Sequence, residues 1–181
     1  MQLVASAWNI AEETRMKKGG LLDRYCLAKS IVGIAIEFPV LIGLGIAGII
    51  LSWARLPLYP LPNVVGAILL VAGYVIHVGY AHREMKKYAV QAHEHSTQPR
   101  TLITSGAYSK VRHPGYSGLV LIYFGFALGF GVVWVLIPAV IFTIFTFLTA
   151  TKEEAHLKER FGEDYEAYAR RVPWRFVPKV V

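Results

Sequence analysis

Four apolar blocks separated by short polar turns dictate what this chain can fold into. They run from Ile31 to Trp53, Asn63 to Tyr80, Gly115 to Phe130 and Val132 to Ala150, each 16 to 23 residues long. A helix rises 1.5 Å per residue, so such blocks match a hydrocarbon core of about 30 Å. Arg55 with Pro57, Pro60 and Pro62 turns the chain between the first pair. Gly129-Phe130-Gly131 breaks the second pair into a hairpin. Apolar residues make up 55% of the 181, above the roughly 45–50% of soluble domains, and charged residues 17%, below the roughly 25% norm. The expected fold is therefore an all-α, integral membrane helical bundle of four transmembrane helices in a single domain over 1–181.

Around that frame, residues 2–18 read as an N-terminal interfacial helix, with Leu3, Ala7, Trp8, Ile10 and Ala11 set against Glu12, Glu13, Arg15, Lys17 and Lys18. The acids and the missing apolar stretch speak against a cleavable signal peptide. A C-terminal cytoplasmic helix is expected over Thr151–Phe161, stopped by Gly162, and a second over Glu163–Val172, stopped by Pro173. The lone Cys26 excludes an internal disulfide and gives no metal or redox motif.

Orientation follows from basic residues in short loops. Of the 19 Lys and Arg, 18 precede the first block, separate the second from the third, or follow the fourth; Arg55 alone lies opposite. Four spans with both termini on the cytoplasmic side satisfy this distribution. The net charge of +7 is then an orientation signal, and nucleic acid is not an expected partner.

Two polar clusters flank the final hairpin, so a membrane fold brings them to one face. The first is Arg112-His113-Pro114-Gly115-Tyr116-Ser117-Gly118. Pro114 pushes His113 out of helical space and is itself tolerated in a first turn, so a helix begins there. A helix start offers amides and positive dipole to a carboxylate or phosphate. Tyr108 and Tyr116 offer faces to a cation. An equally open reading makes Arg112 and His113 interfacial anchors within an aromatic belt. The second cluster is Lys152-Glu153-Glu154. Glu153 shares a helix face with Leu157 and Phe161 and should be packed. Glu154 is expected on the solvated face, paired with nearby lysines. Within the spans, Glu37 and His77 fall at similar depths and could meet, either as a functional pair or, somewhat favoured, as a polar contact fixing helix register.

In order and spacing, Leu102-Ile103-Thr104-Ser105-Gly106-Ala107-Tyr108, Arg112-His113-Pro114-Gly115-Tyr116, Glu153-Glu154, Leu157, Phe161-Gly162, Tyr165, Tyr168, Val172-Pro173 and Pro178 resemble the isoprenylcysteine carboxyl methyltransferase family, in a prokaryote-type relative. The resemblance covers 101–178. It implies an S-adenosylmethionine-dependent methyl transfer to a lipophilic acceptor at the cytoplasmic membrane face, with 1–80 supplying N-terminal helices and 81–181 the cofactor-binding catalytic part. It implies cofactor contacts from Arg100, Thr101, Leu102, Ile103, Tyr108, His113, Pro114, Gly115, Tyr116 and Glu153; no single catalytic residue and no metal ligand are implied. The family's prenylcysteine enzymes carry an arginine four residues before the glutamate matching Glu153, where this chain has Thr149, and a hydroxyl does not replace a bidentate guanidinium. The acceptor is thus left open between a prenylcysteine-like carboxylate, a phospholipid or amine, and another lipid. Two rivals stand beside this reading: a sterol-type membrane reductase using NADPH, and a lipid-binding or scaffolding protein that binds no cofactor.

Overall fold

The structure is a computed structural model and describes Gly20, Arg24, Tyr25, residues 29–88 and residues 101–180. The expected interfacial helix over 2–18 lies outside the described residues, as does Arg100. Five helices and no strands occur among the described residues. Helix α1 covers residues 29–50, with a π-helical stretch at Gly33–Glu37. Helix α2 is Leu61–Lys87, α3 is Pro114–Phe130, α4 is Leu136–Phe161 and α5 is Glu163–Arg171.

Two boundaries differ from expectation. Helix α2 does not stop near Tyr80 but continues to Lys87. The last apolar block and the polar helix after it form one element, α4, because nothing between Ala150 and Phe161 breaks a helix; Gly162, at φ +50°, ends it. The segment 151–161 carries seven charged or histidine side chains and projects beyond the apolar part of α4.

By length and composition α2 and α4 are long and apolar enough to cross a membrane; α3 and the 35–50 part of α1 are shorter apolar helices. Isoleucines, valines and aromatic residues stand exposed along α1, α2 and α4, among them Ile46, Ile68, Val71, Ile137 and Ile144. An apolar surface of this extent marks contact with lipid or a partner.

Helix α3 is the hub, packed against α1, α2 and α4. Its contact with α2 is close because glycines line both sides. A Cβ at Gly73 would lie 2.7 Å from the Gly118 carbonyl oxygen, and one at Gly118 would lie 2.6 Å from the His77 amide nitrogen. Small residues allow such approach in membrane bundles, where dispersion and packing replace the hydrophobic effect. The core proper is Leu41, Leu119, Tyr123, Ala127, Val132, Val135, Ala139 and Phe142.

The two ends of the bundle are closed differently. At one, Arg55 donates to the Phe130 carbonyl at 3.1 Å and Asn63 to that of Gly129 at 2.8 Å, and Gly131 takes the left-handed conformation that ends α3. The other end gathers the polar clusters.

The buried ionisable residues do not pair as expected. Glu37 accepts from Lys29, Tyr25 and Tyr123, whereas the His77 ring bonds the Gly115 carbonyl at 2.8 Å and lies tilted against the His82 ring. Lys29 is therefore a buried partner of Glu37, only 2% exposed, and not a flanking loop residue. It also donates to the Tyr123 hydroxyl at 3.1 Å, tying the start of α1 to the middle of α3.

Candidate functional site

The site is built where α3 begins and the apolar part of α4 ends. His113 leaves the helical region (φ −125°, ψ 60°), and α3 starts at Pro114, as a proline at the first helical position favours. The Ser117 amide closes the first turn on the His113 carbonyl at 3.1 Å.

The amides expected to face a ligand are partly taken. Arg112 N–H donates to the Trp174 carbonyl at 2.9 Å and His113 N–H to that of Arg175 at 2.8 Å. The Ser117 hydroxyl donates to the Phe176 carbonyl at 2.6 Å. The tail after α5 thus runs along the Arg112–His113 segment as a wall. Any anion-binding role falls to the first turn of α3 itself.

Glu154 is the electrostatic centre of this wall, which corrects the expectation that it is solvated. It is 9% exposed. It accepts from Arg112 Nε at 2.9 Å, the His113 Nε2 side at 3.1 Å and Arg175 Nη2 at 2.5 Å. Burial pushes its carboxyl up, but the His113 bond and the charges of His113, Arg112 and Arg175 outweigh it and hold it near 2. The reason is helical geometry: neighbouring residues differ by about 100° around the axis, so Glu153 and Glu154 meet different surroundings.

Glu153 faces the other side of the same imidazole, 3.9 Å from Nδ1, with its side chain 22% exposed. It is hydrogen-bonded to Tyr116. Burial raises its pKa, opposed by His113 and by the Tyr116 bond. The imidazole stacks on Tyr116, with centroids 5.6 Å apart, and lies beside Phe176.

Tyr108 joins the group. Its hydroxyl is raised by burial and then by the negative charges of Glu153 and Glu84. Its backbone carbonyl accepts from the Tyr168 hydroxyl at 2.8 Å. Tyr108, His113, Tyr116 and Glu153 therefore converge. Leu102 does not: it packs with Leu157 and Phe161 against Tyr165, Tyr168 and Val172. Thr101 is exposed and Ile103 half-buried, with Pro114 buried at the helix start. Gly115 faces α2, where a Cβ would make ordinary contact with Ala81 at 3.6 Å and His77 at 3.8 Å.

Thr149 is 2% exposed and spends its hydroxyl on the Phe145 carbonyl at 2.8 Å, as Thr146 does on Phe142. Sequence reasoning missed Arg175, Ser117 and Phe176 as parts of the wall. Arg175 entered only as an orientation charge; the signal was the buried carboxylate at 154, which one helix turn could not satisfy.

Comparison with known proteins covers α2 to α4 and the site they carry. A family model described as phospholipid methyltransferase matches residues 62–164. A probable protein-S-isoprenylcysteine O-methyltransferase of Oryza sativa subsp. indica is 30% identical over 127 residues, 67% of this chain and 64% of the relative. A protein-S-isoprenylcysteine O-methyltransferase of Schizosaccharomyces pombe is 39% identical over 74 residues, 40% of this chain and 31% of that one. A Delta(14)-sterol reductase of Methylotuvimicrobium alcaliphilum is 34% identical over 85 residues, 46% of this chain and 20% of the reductase. The chain thus spans between a fifth and just under two thirds of these relatives.

Proposed function

Because this chain belongs to the phospholipid methyltransferase family, we propose that it transfers a methyl group from S-adenosylmethionine to a lipophilic acceptor at the cytoplasmic face of a membrane. The observation that carries this is the convergence of Tyr108, His113, Tyr116 and Glu153 at the mouth of α3. The residues fit the cofactor's charges. Glu153 is a carboxylate that no guanidinium already holds, unlike Glu154, and it suits the ammonium. Tyr108 and Tyr116 present aromatic faces suited to a sulfonium. The first turn of α3, at Pro114, Gly115 and Tyr116, suits the carboxylate. We assign Arg100, Thr101 and Ile103 to the cofactor on the family resemblance alone.

Bound S-adenosylmethionine supplies an electrophilic methyl. The protein supplies position and a dry electrostatic setting, worth several kcal/mol when the reacting groups are held in line. Glu154 fixes the His113 ring; the 172–176 tail screens it from water. On α4 below Glu153, Thr149 turns its hydroxyl back on the Phe145 carbonyl and offers no cation to an acceptor carboxylate. That favours a lipid acceptor over one read by a cationic pocket. Four spans forming one domain, with both termini cytoplasmic, are supported by the sequence distribution of Lys and Arg, of which Arg55 alone falls between the first two apolar blocks.

A sterol-type reductase reading is favoured by the likeness to the Delta(14)-sterol reductase. Isothermal titration of detergent-solubilised protein with S-adenosylhomocysteine and, separately, NADPH decides between them. S-adenosylhomocysteine should bind, and His113→Ala and Glu153→Ala should each weaken it at least tenfold, about 1.4 kcal/mol. Binding of NADPH alone would replace the methyltransferase reading with the reductase one.

A further inference from the structure

Glu84 belongs to the run Arg83-Glu84-Met85-Lys86-Lys87, which as sequence is a solvated basic helix end. The structure turns it inward: Glu84 is 6% exposed while Lys87 remains 60% exposed. Lys87 reaches it at 2.6 Å, but an ion pair with so exposed a lysine does not account for the burial.

A second partner holds the other oxygen. The Ser105 hydroxyl donates to Glu84 Oε1 at 2.5 Å. It lies 2.8 Å from the Tyr88 hydroxyl, which donates to it in turn. Next in the chain, Gly106 has φ +58°, and any Cβ there would overlap the Glu84 carboxylate. The glycine is thus required twice, by conformation and by the space the carboxylate fills. From Ser105 the chain makes one tight 3-10 turn, Gly106–Ser109, with the Tyr108 amide donating to the Ser105 carbonyl at 3.0 Å. That turn presents Tyr108. Tyr168 holds the far side of Tyr108 through its backbone carbonyl.

We infer that Glu84 is a positioning residue of the cofactor site: through Ser105 and Gly106 its buried carboxylate fixes the turn that carries Tyr108. The inference rests on the methyltransferase reading above and deepens it. α2, packed along α3, contributes to the site through this side chain as well as through His77, which bonds the Gly115 carbonyl. Glu84 does not touch the reacting groups; its effect passes through the turn.

The test uses the full-length protein in detergent and two readouts, S-adenosylhomocysteine affinity and hydrogen exchange of the amides at 108–111. Glu84→Ala should weaken binding at least tenfold and speed exchange in the turn at least tenfold. Glu84→Gln should stay within threefold of wild type on both, because the amide oxygen still accepts from Ser105. Lys87→Ala should change neither. If Glu84→Ala does not fold, Ser105→Ala, which keeps the carboxylate and its lysine, must show both losses. Faster exchange in the turn with unchanged affinity would overturn the inference and leave the proposed function standing. So would a Gln variant as impaired as Ala, because the carboxylate would then be acting by charge and not through the turn. Wild-type protein that binds no S-adenosylhomocysteine would instead overturn the proposed function, and this inference with it.

Discussion

Glu153 and Glu154 are neighbours in the chain and opposites in environment. Glu154 is consumed by two guanidinium groups and one edge of the His113 imidazole, while Glu153 has the other imidazole edge and a tyrosine. The two respond differently to pH. Glu154 is depressed from 4.5 to about 2 in the folded protein. A depressed carboxyl contributes stability that is present above its ordinary pKa and is lost as pH falls through the folded value. Apparent melting temperature should therefore drop between pH 4.5 and 2 more steeply in wild type than in Glu154→Gln, with at most about 3 kcal/mol at stake. Glu153, shifted the other way chiefly by burial, is present in both proteins, and the Glu154 charge is the least of the causes acting on it. Parallel melting curves across that range would show that Arg112 and Arg175 do not hold Glu154 as described. At neutral pH Glu154→Gln should melt lower, since it leaves two guanidinium groups under-compensated.

The seam between α2 and α3 decides how the elements fit. Gly73 and Gly118 sit against each other's backbones, and His77, one turn from Gly73, bonds the first turn of α3. Gly118→Ala would bring a methyl within 2.6 Å of a backbone nitrogen, a contact that only separation of the helices relieves. The expected cost is about 1–3 kcal/mol, read as a lower melting temperature. Gly79→Ala is the control: the same change on α2 meets nothing closer than 3.8 Å and should leave stability unchanged. Equal melting of both variants would mean the seam is looser than it is drawn. The helices themselves are legible in the sequence because apolar length and Gly/Pro punctuation are local properties. Their pairing is not, since it depends on which glycines happen to face one another.

At the scale of the whole molecule, alternating helices bring the starts of α1 and α3 and the ends of α2 and α4 to one end of the bundle, and Arg55, Asn63 and Gly131 to the other. Lys110 is exposed at the first end and Pro60 at the second. In a Cys26→Ser background, Lys110→Cys and Pro60→Cys should label from opposite sides of the membrane. Labelling from the same side would remove the four-span arrangement and with it the cytoplasmic placement of the site.

By itself the sequence determined the helical class, the punctuation at Pro114, Gly131 and Gly162, the polar clusters at the ends of the last hairpin and the packed face of Glu153, Leu157 and Phe161. Each follows from composition or from periodicity within one segment. Tertiary structure alone decided that Glu154 is the buried hub, that Lys29 and not His77 meets Glu37, that the 172–176 tail occupies the Arg112 and His113 amides, and that Glu84 faces the Ser105–Gly106 turn. These are questions about which partner, distant in sequence, satisfies a buried charge or amide. A buried polar group must find such a partner, but a linear pattern does not say where in the chain that partner lies.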